Sequence, residues 1–76
     1  MGRAGQALRE ILKIHNISQN RLAVELGLRR SVPYRWVHEL SDPTGETIVE
    51  IVEALKTLNP EAARDFVQRY LGELVE

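Results

Sequence analysis

The residue that most constrains this chain is Gly27, which falls between two stretches of helical periodicity in Ser18 to His38, SQNRLAVELGLRRSVPYRWVH. Ser18 suits a helix N-cap, because its hydroxyl can accept a hydrogen bond from one of the first free amides of a helix over Gln19 to Leu26. Gly27 then sits where that helix must stop, since glycine enters the left-handed conformation of a C-terminal cap at little steric cost. Ala23, one turn earlier, is small enough for a second helix to cross close above it. The chain is therefore expected to turn back on itself here, with two short helices in contact.

The second helix is expected over roughly Arg30 to Leu40. Turning each residue about 100° from the last divides it into two faces. Pro33, Trp36, Val37 and Leu40 share one side, which should face a core. Ser31, Tyr34, Arg35 and His38 share the other, with Arg30 at its flank and Arg29 in the preceding turn. That second side is a cationic, hydrogen-bonding stripe. Pro33 lacks an amide proton and disfavours helical geometry in Val32, so it is tolerated only in a first turn. The helix proper should then begin near Arg30 or Ser31, which places Arg29 and Arg30 at the positive end of its dipole.

Gln19, Leu22, Ala23, Leu26, Gly27, Leu28, Ser31 and Trp36 stand at the spacing of a known family. The chain resembles the Cro-like, or xenobiotic-response-element type, helix-turn-helix repressors. The likeness extends to a helix before Ser18 and to a Pro43-Thr44 step into a fourth helix, so it covers most of the chain. It implies an all-α, compact five-helix domain of lambda-repressor-like fold, formed by residues 1–76 as a single unit. It also implies double-stranded DNA as partner, with the second motif helix in the major groove. Pro33 departs from the Ile or Val usual early in that helix. A divergent natural regulator and an engineered reader on the same scaffold both fit the SVPYRW segment.

Net charge is −1, which by itself argues against nucleic acid. The distribution reverses that reading. Residues 1 to 38 hold seven Arg and Lys against Glu10 and Glu25, a balance of +5, whereas residues 39 to 76 hold three against nine Asp and Glu, a balance of −6. The cationic half would face phosphate, and the acidic half would point away from it or serve as a solvated helical face. A hydrophobic content of 43% is ample for a folded globule. The absence of cysteine excludes disulfides and thiolate metal sites and suits a reducing cytoplasm. No apolar run approaches the 18 or so residues of a membrane helix, and nothing at the N-terminus resembles a signal peptide. The expected setting is cytoplasmic, of bacterial type and nucleoid-associated, with no membrane contact.

The other helices follow from periodicity and punctuation. The first is expected from about Ala4 to His15, burying Ala4, Leu8, Ile11, Leu12 and His15 on one stripe, with Gly2 and Gly5 leaving its start frayed. Arg3, Arg9 and Lys13 fall on the wetter side, where solubility is the main expected role and a backbone contact to DNA the lesser one. Asn16 should end this helix in the left-handed region, and Ile17 should staple the start of the next. After the turn SDPTGE, where Ser41 or Thr44 could reach phosphate, a fourth helix is expected from Gly45 to Leu58. It would bury Ile48, Ile51, Val52 and Leu55 while Glu46, Glu50 and Glu53 face water. Asn59-Pro60 reads as a cap followed by proline at the first helical position. The last helix is expected from Pro60 to Leu74, with Ala63, Phe66, Val67, Tyr70, Leu71 and Leu74 in register. Closure of the monomer core and a homodimer interface through the C-terminal helix both suit that stripe.

By this resemblance the residues holding DNA phosphate are Gln19, Asn20, Arg29 and Arg30. The residues reading bases are Ser31, Val32, Tyr34, Arg35 and His38, with Arg35 foremost because a guanidinium can bond guanine O6 and N7 together. Trp36 belongs to the core. An enzyme is not expected: Ser18, Ser31 and Ser41 have structural explanations, and no glycine-rich phosphate loop is present. His15 and His38 lack a third ligand for zinc, so no metal or cofactor is expected. The competing function is a helical protein-interaction module, an antitoxin or adaptor, working through the acidic C-terminal half.

Overall fold

The computed structural model describes residues 2–72 and 74. Five α-helices follow in order: α1 (Arg3–Ile14), α2 (Gln19–Leu26), α3 (Ser31–Val37), α4 (Gly45–Leu58) and α5 (Pro60–Val67). A π-helical turn, Gln68–Gly72, continues directly from α5. There is no strand among the described residues. α1 lies against α3 and α5, α2 against α3 and α4, and α4 runs back along α5.

Side-chain caps set several of the helix starts. The Ser18 hydroxyl accepts from the Arg21 amide at 3.0 Å, as expected for the start of α2. Thr44 does the same for α4, accepting from Thr47 N at 3.2 Å, so its hydroxyl is committed to a cap rather than poised for phosphate. Asn59 Oδ1 accepts from Glu61 N at 3.0 Å ahead of Pro60.

The ends of α1, α2 and α3 share one device. A left-handed residue reverses the chain, and its own amide and the next one bond back to carbonyls of the last turn. Asn16 (φ 56°) does this for α1, with Ile17 N donating to Leu12 O at 2.8 Å, and Gly27 (φ 72°) for α2, with Leu28 N donating to Ala23 O at 2.9 Å. For α3 the left-handed residue is Glu39 (φ 58°), with Glu39 N to Trp36 O at 3.1 Å and Leu40 N to Arg35 O at 2.8 Å. α3 thus ends at Val37, short of the Leu40 suggested by periodicity. Leu40 leaves the core and is 61% exposed.

The core gathers Leu8, Ile11 and Leu12 of α1, Leu22 of α2, Trp36 and Val37 of α3, Ile51 and Leu55 of α4, and Phe66 of α5. Burying each of these large side chains contributes about 1.5–3 kcal/mol, enough to hold helices that are individually too short to persist in water. Ile48 and Val52 are only half-buried, at the margin of this core. Gly5 lies inside α1 rather than at a frayed start. It is buried, and a Cβ added there would run into the Trp36 carbonyl oxygen, so its bare backbone is what lets α1 approach α3.

The C-terminal stripe divides. Ala62, Ala63 and Phe66 are buried and Tyr70 is half-buried with its ring stacked on Phe66, whereas Val67, Leu71 and Leu74 are exposed. The wider π turn after Val67 takes Leu71 and Leu74 off the 3.6-residue register that would have aligned them with Phe66. It also sets Arg69 over α1: Arg69 Nε donates to Asp65 Oδ1 at 2.7 Å and Nη1 to Glu10 Oε1 at 3.1 Å. His15, half-buried beside the core, lies with Nε2 3.0 Å from Asp65 Oδ2.

Partial burial raises the Asp65 pKa, but hydrogen bonds and charge from Arg69 and His15 outweigh it and hold the carboxyl below its ordinary value of 3.8. A depressed folded-state pKa contributes stability above the unfolded value and loses it as pH falls through the folded one. Asp65→Asn is therefore expected to destabilise the protein by about 1 kcal/mol at pH 7. In denaturant titrations the gap between the two proteins should begin to close only as pH falls below 3.8; a gap that did not change with pH would assign the effect to packing.

Candidate nucleic-acid interface

α3 packs mainly on α1 and α2, with Pro33, Trp36 and Val37 turned inward. Pro33 sits in the first turn, where its missing amide has no intrahelical partner to lose, and its ring is fully buried. Ser31, Tyr34, Arg35 and His38 point to the opposite side and are exposed, as are Arg29 and Arg30 just before the helix. Val32 is half-buried and packs against the core, so less of it is on offer than the stripe suggests. Tyr34 and His38, one turn apart, lie with ring centroids 3.9 Å apart and planes tilted by 32°, forming one aromatic unit.

The start of α2 lies alongside. Gln19 is half-buried and Asn20 exposed, and together with Arg30, Ser31 and Tyr34 they line a cleft of about 490 Å³. Both helix N-termini meet there, and amides of a first turn, together with the positive end of the helix dipole, favour an anion. A second cleft, of about 510 Å³, lies between α1 and the start of α2 and is lined by Arg9, Lys13, Ser18 and Gln19 among others. Of the residues expected to hold phosphate or read bases, Gln19, Asn20, Arg30, Ser31 and Tyr34 come together along the first cleft, Arg29, Arg35 and His38 are exposed outside it, and Val32 is half-buried.

Of the other arginines, Arg3, Arg21 and Arg64 make no ion pair among the described residues, and two are neutralised by the protein itself. Arg69 is paired with Asp65 and Glu10, and Arg9 with Glu39. Among the described residues no ion pair involves Arg29, Arg30 or Arg35. Like charges left together on a surface repel, and an external anion relieves that repulsion.

Residues 8–61 match the Cro/C1-type helix-turn-helix family, a span that includes all of α2, α3 and α4. The chain belongs to that helix-turn-helix family. No curated protein and no solved structure matches it significantly. Membership implies DNA binding, typically in transcriptional regulation, and the family is generally non-enzymatic. Within this helix-turn-helix protein, no helix of the described residues is long and apolar enough to cross a membrane.

Sequence reading missed Arg9. Periodicity puts it on the wet side of α1, yet its Nη1 donates to Val37 O at 3.1 Å and to Glu39 Oε2 at 3.4 Å, across more than a third of the chain. No local signal could have found this, because the partner atoms are a backbone carbonyl and a residue in a turn.

Proposed function

We propose that residues 1–76 act as one sequence-specific double-stranded DNA-binding domain, a transcriptional regulator that presents α3 to the major groove. The observation that carries this reading is the uncovered, unpaired arginine stripe beside the α2 N-terminus. In this role Gln19, Asn20, Arg29 and Arg30 hold phosphates and fix register, which supplies affinity without sequence preference. Arg35 reads a guanine, Ser31 and the Tyr34–His38 pair contact base edges or the adjoining backbone, and Val32 meets a thymine methyl from the edge of the surface. In a bacterial-type cell such a protein would work on the nucleoid in the cytoplasm.

A second copy of the chain is the natural cover for the exposed Val67, Leu71 and Leu74, of which Val67 also lines a cleft of about 410 Å³ together with Val52 and Ala63. A homodimer with two recognition helices about 34 Å apart would read a palindrome.

Selection from random-sequence duplex DNA with the purified protein tests both statements. A single enriched half-site supports the reading, a symmetric repeat of it supports the dimer, and no enrichment favours the protein-interaction module instead. Arg30→Ala is expected to weaken binding to all sequences alike and to reduce the slope of log K against log salt by about 0.9, one phosphate contact. An unchanged slope in a salt titration would remove Arg30 from the phosphate contacts.

A further inference from the structure

We infer that Arg9 is a positioning residue for the recognition helix: from α1, its guanidinium ties down the C-terminal end of α3 and so sets the angle at which Arg35 is presented. The part of this that concerns DNA rests on the reading proposed above.

α3 spans only Ser31–Val37 and has no side-chain cap at its start. A helix of under two turns has little stability of its own, so its orientation depends on what grips its ends. At its C-terminal end the reversing amides take the carbonyls one by one: His38 N donates to Tyr34 O at 3.0 Å, Leu40 N to Arg35 O at 2.8 Å and Glu39 N to Trp36 O at 3.1 Å. The next carbonyl, Val37 O, receives Arg9 Nη1 at 3.1 Å. A cation there also answers the negative end of the helix dipole.

The same Nη1 lies 3.4 Å from a carboxylate oxygen of Glu39, the residue whose left-handed backbone turns the chain out of α3. Outside glycine and asparagine that conformation is disfavoured and persists only when its surroundings hold it. One guanidinium thus holds both the last carbonyl of α3 and the residue that ends it. Gly5, one turn before Arg9 on α1, is what brings α1 close enough for this grip, because its backbone lies against the Trp36 carbonyl. A recognition side chain must be held to within roughly 0.5 Å and 10–20° to make its contact, and Arg35 lies in the turn that Arg9 secures.

Two measurements test the inference, one of them independent of DNA. In DNA-free protein, Arg9→Ala is expected to speed amide exchange at His38, Glu39 and Leu40 several-fold, with the α4 and α5 amides unchanged. Arg9→Lys, which keeps a cationic donor, should restore much of the protection. Uniform acceleration throughout the chain would assign Arg9 to global stability, and unchanged exchange would remove the grip; either overturns the proposal.

On DNA, Arg9→Ala is expected to lower affinity for the selected site about tenfold while leaving binding to unrelated duplex and the salt slope as in wild type. An equal loss on all sequences with a reduced slope would make Arg9 a phosphate contact instead and overturn the positioning role. If the wild-type protein enriches no sequence, the DNA reading fails, and the exchange experiment still decides whether Arg9 holds α3.

Discussion

Gly5→Val destabilises the domain by about 3 kcal/mol, at the upper end of the range for overpacking a core. The size follows from what the new side chain meets. Gly5 is buried in α1 directly against the Trp36 carbonyl, and a carbonyl in the body of α3 cannot rotate aside as a flexible side chain would. Replacing an interior helical glycine would otherwise gain a few tenths of a kcal/mol in propensity, so the clash decides the sign. For a domain of this size the loss lowers Tm by 10 °C or more. The check is a denaturant melt, in which the midpoint should fall at constant slope. Unchanged stability would mean that α1 and α3 do not approach this closely. Because the element displaced is α3, DNA affinity should fall further than the loss of folded protein accounts for.

On the proposed function, Arg35→Ala is expected to leave the fold intact and to reduce selective DNA binding by about 1–3 kcal/mol, the worth of one bidentate guanidinium–guanine contact. Arg35 is exposed on the last full turn of α3, makes no ion pair among the described residues, and buries nothing in the core. Its removal should therefore leave the folding stability within about 0.5 kcal/mol of wild type, as for surface substitutions generally. The loss should also be confined to one base pair, where a repeated selection would show relaxed preference. Equal weakening on every sequence would move Arg35 to the phosphate contacts. The contrast with Gly5→Val separates the two ways of damaging this surface: one removes a reader, the other moves the platform that carries it.

Much of this protein could be read without coordinates, because the signals concerned are local. Ser18 and Gly27 bound α2 where they stand, since capping depends on the chemistry and φ freedom of residues within one turn of the helix end. Asn16 and the Asn59-Pro60 step work in the same way. The inward set Pro33, Trp36 and Val37 and the outward set Ser31, Tyr34, Arg35 and His38 follow from helical period alone, and the structure places them on those sides.

What went unread is tertiary. Leu40 was assigned to the core because periodicity has no means of stopping a helix at Glu39, a residue that gives no left-handed signal and is held there by contacts outside its own sequence neighbourhood. Periodicity aligns Leu71 and Leu74 with Phe66 only along an unbroken α-helix, which the π turn at Gln68–Gly72 breaks. Arg9 and Gly5 look like a surface charge and a weak helix start until α3 is laid across them. Sequence by itself determined where the helices lie and which side of α3 carries chemistry, because caps and amphipathic stripes act over three or four residues. Only the packing of α1 onto α3 decided where that helix ends and what holds it, because a contact between residues 9 and 37 exists only once the chain has closed.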